Sequence, residues 1–483
     1  MVLFLFGCGR EVDSVIKGNM RVEFLLSLLL YFIILILICL LFSKRMKNLE
    51  DFFLASRRLP LVLVYASLVA SWFGATSILV TTDEAFTKGV SAIWLMGVPA
   101  ILTVLLFGFF LSQPIRRLPI VSLPDLVEMR YGPLVRHLAS LLIIWYMILL
   151  ASSQMVAIGH VLKSLLGTSY LNGLLIGTGV VLVYSVLGGF FSVALTDGLQ
   201  FLLLAAGIFG LFFFLSTTSS LGQVSLFSSP ESQSHLFQIF YNVKENLLIV
   251  LSFTFAWTVS PIVWQRIQAA RSEEEAQQAL FYSSGTFLIL YGLLVLIGIL
   301  SLPLFFSRSL EGPLLSEIIS SKTPLLLGCL LFVAIVAAIM STMDTAINTG
   351  ALSLTRDVYQ QFFSSSPRYD VLASRLLTLA VGILAFLVAT RFQSILKMLG
   401  LSSEIMAEGL FIPGIAMIFL KKRRPTAGLL SLLLGGGFSL LIFFSEVEIL
   451  PFQLVSWPYS VPYGVGLCAL GFTIGMVVDR YRK

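Results

Sequence analysis

Apolar runs of about twenty residues, closed by short basic loops, recur along the whole chain, each long enough to span a bilayer as a helix. The first is 24–43, ended by Lys44, Arg45 and Lys47. Residues 59–82 form an uncharged run, and 89–115 end in Arg116 and Arg117. Further runs occupy 138–166, 246–265, 276–300, 375–390, 395–420, 427–444 and 461–478, and one more begins near Leu325. Residues 165–196 are too long for one span, and Gly188-Gly189 divides them into a helix, a turn and the start of the next. That next helix carries Asp197 and Gln200 to about Leu215. The pattern predicts roughly thirteen spans.

One stretch departs from the pattern. Residues 334–359 begin as an ordinary apolar span and turn polar in mid-membrane at Ser341, Thr342, Asp344, Thr345, Asn348 and Thr349. On a helix, Ser341, Thr345 and Asn348 form one stripe, with Ala338 a turn before Ser341 and Thr342 about 100° round from it. Polar side chains in hydrocarbon are costly unless they face a partner or a cavity. Two adjacent hydroxyls beside a carbonyl suit a hard, weakly held cation. Each hydroxyl taken singly also fits helix–helix contact, satisfied by its own i−4 carbonyl.

Composition fixes the class. Of 483 residues, 58% are hydrophobic and 12% charged, with a mean hydropathy of +0.97, the values of a polytopic helical membrane protein. The runs are continuous, so a β-barrel is excluded. Cys8, Cys39, Cys329 and Cys468 make neither a disulfide framework nor a metal pattern. The net charge of +6 comes from short loops and implies no nucleic acid. No nucleotide-binding, serine-hydrolase or zinc-protease motif is present, so an enzyme is not expected. Residues 1–21 read as an uncertain tail, with Met1 and Met20 both possible starts.

Orientation follows from counting. With the N-terminus outside, 21 of the 31 basic residues fall in cytoplasmic loops, which supports thirteen spans and an inside C-terminus in the cell membrane. Removing the first span and the last two leaves ten. Five is odd, so a second set of five enters with opposite topology, the arithmetic of an inverted repeat. The chain divides into the tail 1–21, an accessory helix 22–43, a first repeat 60–215, a second repeat 246–420, and two accessory helices in 425–478. The leading span of each repeat is interrupted in mid-membrane, at residues 70–77 and at residues 257–261. Gly, Ser and Pro there free backbone carbonyls that can hold an ion or solute.

Five motifs in order carry a family resemblance. DFFLASRRLP resembles the approach to the first core helix of the sodium:solute symporter family, and SLPDLVEMRYG its loop before the third. YSVLGGFFSVALTDGLQ resembles its helix-four/five signature, QRIQAARSEEEA the exit from helix six, and STMDTAINTGALSLTRDVY its helix-eight signature. The resemblance covers roughly residues 45–420. It implies an all-α, LeuT-like fold of two inverted five-helix repeats with a sodium site between helices one and eight. The implied ligands are the carbonyls of Ala70, Phe73 and Ala338 and the hydroxyls of Ser341 and Thr342. It also implies ion coupling at Asp197, a residue that by sequence alone equally suits a helix N-terminal dipole partner.

The solute is less legible. Sugar-transporting members carry Asn and Tyr on helix six, where this chain has Phe253 and Ala256; their helix-seven Lys falls near Phe287. These departures argue against a sugar and leave an amino acid, a carboxylate or a vitamin-like solute. Proline-type members have an Asp where Trp72 stands, although Pro261 matches their helix-six proline. Trp72, Gln154, Trp257, Pro261 and Glu408 are the solute-contact candidates, each also explicable by packing. Glu404 and Glu408 share a helix face with no basic neighbour in sequence. They would line the solute path, or Glu404 would reach the outer interface and Lys397. The expectation is Na⁺-coupled symport of a small organic solute by alternating access. A proton-coupled transporter or a membrane sensor is the alternative. The lipid bilayer is the only other partner implied, and nothing demands more than a monomer.

Overall fold

The computed structural model describes residues 2–42, 49–218, 235–305, 312–363, 367–451 and 454–481. Among them it is helical throughout. Helix α1 (Val2–Phe42) contains the apolar span Arg21–Leu41. The first broken helix follows: α2 (Leu61–Trp72), a π-turn at Thr76–Val80, then α3 (Thr81–Lys88). Next come α4 (Gly97–Leu106), the short α5 (Leu123–Tyr131) and α6 (Pro133–Leu166). Helix α7 (Tyr170–Thr218) is two spans joined at Gly189, whose φ of 60° and ψ of 176° suit a residue without Cβ. The glycine pair marks that break, as the sequence predicts.

The second broken helix is α8 (Val243–Thr258) with α9 (Pro261–Ala269), bent by 43°. Pro261 opens α9, where its missing N–H costs nothing and its fixed φ suits a first turn. Then follow α10 (Glu273–Leu300), α11 (Leu325–Ser353), α12 (Pro367–Arg391), and α13 (Ile395–Gly409) with α14 (Phe411–Phe419), bent by 45°. The chain closes with α15 (Pro425–Ser431), a π-turn, α16 (Gly437–Glu446) and α17 (Val461–Tyr481).

Among the described residues ten helices are long and apolar enough to cross a membrane, or twelve when each bent pair is one span. This falls short of thirteen because the break at Phe73 leaves α2 only 12 residues long, and helical structure then runs on from Thr76 to Arg117. Helix α11 is the packing centre, flanked by α6 and α7, with α2 and α9 also against it. Its residues from Phe332 to Ser353 are all buried. A helix enclosed on every side can carry a polar stripe only if each polar group meets a partner inside the protein.

Candidate functional site between the broken helices

Helix α2 ends where Phe73 leaves helical geometry at φ −84°, ψ 61°. The carbonyls of its last turn lose their intrahelical donors there. Helix α11 supplies replacements. Ser341 Oγ donates to the Ala70 carbonyl at 2.8 Å and to Ala338 on its own helix at 2.9 Å. Thr342 Oγ1 donates to the Ser71 carbonyl at 3.0 Å and to Ala338 at 3.4 Å. Five oxygens, three carbonyl and two hydroxyl, thus converge in a buried spot with no charged ligand. A hydroxyl that donates in one rotamer offers lone pairs in another. The chemistry fits a monovalent hard cation held without a carboxylate. Of the five expected ligands, Ala70, Ala338, Ser341 and Thr342 meet here. The contact on the broken helix beyond Ala70 is Ser71, whereas Phe73 stands at the break, its ring against Tyr291.

The part of the broken helix beyond Phe73 is pinned by Gln154 of α6. Its Oε1 accepts the Ala75 N–H at 2.7 Å, and its Nε2 donates to Ser153 Oγ at 3.0 Å. Both donor and acceptor of Gln154 are engaged within the protein, so it orients the break. Gly74 sits between Gln154 and Thr342 with no room for a Cβ. Beside it lies a cavity of about 50 Å³ walled by Trp72, Trp257, Gln154, Thr76 and Tyr146, among others. Trp72 and Trp257 meet edge to face with centroids 5.2 Å apart, and Phe253 stacks on Trp257 at 5.0 Å.

Two solute candidates lie elsewhere. Pro261 lines a separate cavity of about 20 Å³ with Gln265 and Thr349. Glu408 is turned to the other side of α13, its carboxyl against Gly464 of α17, with neither oxygen hydrogen-bonded. Glu404 accepts from Ser460 and is buried, so it does not reach water; Lys397 pairs with Glu446 instead, at 2.8 Å. Neither glutamate is among the residues walling the central cavity.

Asp197 is fully buried and ion-paired. Ser67 Oγ of α2 donates to its Oδ2 at 2.5 Å, and Arg266 Nη2 of α9 lies 3.4 Å from the same oxygen. Arg266 Nη2 also donates to Thr345 Oγ1 of α11 at 2.8 Å. The apolar run 246–265 ends just before Arg266, yet at 1% exposure Arg266 is an interior residue. Other members of the polar stripe are paired as well, although Asn348 Nδ2 and Asp344 Oδ1 have no hydrogen-bond partner. Tyr184 donates to Asp344 Oδ2 at 2.7 Å, Thr349 donates to Gln265 Oε1 at 3.0 Å, and Gln265 Nε2 donates to the Phe53 carbonyl at 2.7 Å. Helix α9 and the start of α2 are therefore bound to α7 and α11 through buried polar contacts.

Comparison with known proteins decides the family. Residues 52–435 match the model of the sodium:solute symporter family. The chain belongs to this family. It is thus a Na⁺-coupled solute transporter and not an enzyme. The osmoregulated proline transporter OpuE of Bacillus subtilis is 27% identical over 444 residues, spanning 88% of this chain and 89% of that protein. The high-affinity proline transporter PutP of the same organism is 27% identical over 424 residues, spanning 83% and 87%. A substrate-bound, outward-open Na⁺-coupled sialic acid symporter superposes with a TM-score of 0.80 at 21% identity, over 94% of this chain and 97% of that one. The fold is the LeuT-like one, two broken helices at its centre.

Proposed function

We propose that this protein moves a small organic solute into the cell with Na⁺ held by the Ala70 and Ala338 carbonyls and the Ser341 and Thr342 hydroxyls, with Phe73 or Ser71 supplying the remaining carbonyl. The observation that carries this reading is the pairing of Ser341 and Thr342 with the carbonyls at the end of α2. An ion there joins α11 to the broken helix more firmly than hydroxyl hydrogen bonds do, and so favours the arrangement in which the two touch. A ligand shifts a conformational equilibrium only by such differential affinity. The contacts of Arg266, Ser67 and Gln265 tie the two broken helices to α7, α11 and the segment before α2, and in this reading they part when the bundles rock. Asp197, at the hub of these contacts, couples the ion-dependent step to that motion.

Two inverted repeats, 60–215 and 246–420, form the transport core, flanked by the accessory helices of 22–43 and 425–478. Counting residues 61–88 and 97–117 as separate spans raises twelve to thirteen, an odd number that sets the two termini on opposite sides of the membrane; the excess of basic residues in one set of loops supports an outside N-terminus and a cytoplasmic C-terminus in a cell-membrane protein. Proline transport by two relatives and the missing sugar-contact residues favour an amino acid, carboxylate or vitamin-like solute. The test is uptake into proteoliposomes under an inward Na⁺ gradient, with K⁺ replacing Na⁺, and under a proton gradient alone. Na⁺-driven uptake that is lost in Ser341→Ala/Thr342→Ala supports the assignment. Uptake driven by protons and indifferent to Na⁺ rejects it.

A further inference from the structure

A second cavity lies away from the central one, where α1 meets the end of α6. It holds about 410 Å³, within the range of about 300–1,000 Å³ usual for small-ligand sites. Arg21 and Phe24 of α1, His160 and Lys163 of α6, and Glu317 and Ser320 of the short helix Leu314–Ser321 form its wall. Arg21 opens the apolar span of α1 and Lys163 stands in the last turn of α6, so the cavity lies at headgroup depth. Further along α1, Leu25, Leu26, Leu29 and Leu30 are exposed, while Phe24 is buried with its ring 5.4 Å from that of Phe332 in α11. Both signs of charge face this cavity, yet among the described residues Arg21, Lys163 and Glu317 form no ion pair. The Arg21 guanidinium rests against Gly167 at the end of α6, where a Cβ would lie 2.8 Å from its Cζ. Cations at the carbonyl end of α6 and an acid in the first turn of the short helix each suit a helix dipole. That accounts for each charge singly, but not for opposite charges that line one cavity without pairing.

We propose that this cavity binds the headgroup of phosphatidylethanolamine, its phosphate held by Arg21 and Lys163 and its primary ammonium by Glu317, with the acyl chains along the exposed leucines of α1. An amphoteric wall answers an amphoteric headgroup. Basic pockets between membrane helices suit lipid phosphates, and a guanidinium with an ammonium gives the charge-assisted hydrogen bonds that phosphate oxygens accept. The ring of His160, packed on Tyr170 at 5.0 Å, brings a further N–H to the same side. The lipid ammonium has three donors to satisfy. Glu317 and Ser320, three residues apart on one helix face, offer a carboxylate and a hydroxyl as acceptors. Phosphatidylglycerol would bring the phosphate but no cation for Glu317, and the quaternary nitrogen of phosphatidylcholine has no N–H to donate. Bound there, the lipid joins α1 and the short helix to α6. The short helix also holds α3, since the Leu314 N–H donates to Asp83 Oδ1 at 2.8 Å. The lipid therefore fastens the accessory span to the transport core.

The experiment takes the full-length protein, purified in detergent and stripped of lipid. Its thermal midpoint is followed against increasing dihexanoyl-phosphatidylethanolamine, -phosphatidylglycerol and -phosphatidylcholine, and against O-phosphoethanolamine and inorganic phosphate. We expect phosphatidylethanolamine to raise the midpoint at a half-saturating concentration at least about tenfold below those of the other two lipids, the worth of one charged hydrogen bond. Glu317→Gln, which keeps the side chain's shape, should weaken phosphatidylethanolamine by about tenfold and leave phosphatidylglycerol no weaker. Arg21→Ala/Lys163→Ala should weaken all three lipids at least about tenfold, and Arg21→Lys should keep most of the binding that Arg21→Ala loses. If the double variant does not fold, Glu317→Gln decides alone. Phosphatidylglycerol or phosphatidylcholine bound as tightly as phosphatidylethanolamine overturns the inference, as does phosphatidylethanolamine binding unchanged by Glu317→Gln. An equal shift from O-phosphoethanolamine or inorganic phosphate at the same concentration overturns the lipid as the ligand. Lipid shifts that survive Arg21→Ala/Lys163→Ala overturn the site.

Discussion

Gly74→Ala is the sharpest test of how the broken helix is held. A Cβ at residue 74 would lie 2.6 Å from Gln154 Oε1 and 2.7 Å from Thr342 Oγ1, about 0.8 and 0.7 Å inside ordinary contact at 3.4 Å. Neither neighbour is free to swing away. Gln154 Oε1 holds the Ala75 N–H, and Thr342 Oγ1 holds the Ser71 carbonyl. Overpacking of this kind costs about 1–3 kcal/mol. Leaving the buried Ala75 amide unpaired costs about 1–3 kcal/mol more. The sum is about 2–6 kcal/mol, and a shift of 1.4 kcal/mol is tenfold in affinity. Because the methyl presses on Thr342, a proposed ion ligand, and on the cavity wall together, half-saturation for Na⁺ and the solute KM should both rise by at least about tenfold, measured by uptake into proteoliposomes. The double variant Gly74→Ala/Gln154→Ala gives the control. With the Gln154 amide gone one clash disappears, so the alanine at 74 should cost at least about 1 kcal/mol less there than in the wild-type background. Strict additivity, or a Gly74→Ala protein with wild-type affinity for both ligands, would refute the pinning.

Further outcomes follow from the buried charges. Arg266→Ala leaves Asp197 as an unpaired buried charge and should destabilise the protein by about 3–5 kcal/mol, read as a lower thermal midpoint, with Arg266→Ala/Asp197→Ala recovering part of it. A single variant as stable as wild type would mean that the pair does not form. Arg136, paired with Asp125, Glu128 and the fully buried Asp357, joins α5 and the start of α6 to the segment after α11. Arg136→Ala should lower the thermal midpoint comparably. Glu408→Gln should leave the solute KM within about twofold, because the carboxyl faces Gly464 and not the cavity. Gly464→Ala, which drives a methyl into that carboxyl, should lower stability by the overpacking cost of about 1–3 kcal/mol. A KM change of about fivefold or more in Glu408→Gln would put that residue back on the solute path.

What could be read in advance was whatever leaves a local mark. Glycine and proline at 74, 189 and 261 mark three of the breaks because only backbone chemistry is involved there, whereas the 45° bend between α13 and α14 falls inside a run, 395–420, that reads as one span. The polar cluster at Ser341 and Thr342 was also legible, since hydroxyls in mid-membrane must face something, but that they face α2 was implied only by the family resemblance. The register at the break was not. Once Phe73 leaves helical geometry, periodicity no longer says which carbonyl points where, and the carbonyl that Thr342 meets is that of Ser71. Arg266 was misplaced for a related reason. It precedes the polar run QAARSEEE, so local hydropathy puts it in a loop, while its partner Asp197 lies 69 residues earlier on another helix. Gln154 and Glu408 show the same limit from two sides. Both are polar residues in mid-span, and both suggest a solute contact. Only the packing reveals that one caps the backbone of the broken helix while the other turns toward α17. A polar residue inside a membrane must have a partner, but sequence alone does not say whether that partner is an ion, a solute or the protein's own backbone. At Trp72 and Thr76 the structure leaves two donors without a protein partner, and it is there that the solute can be sought.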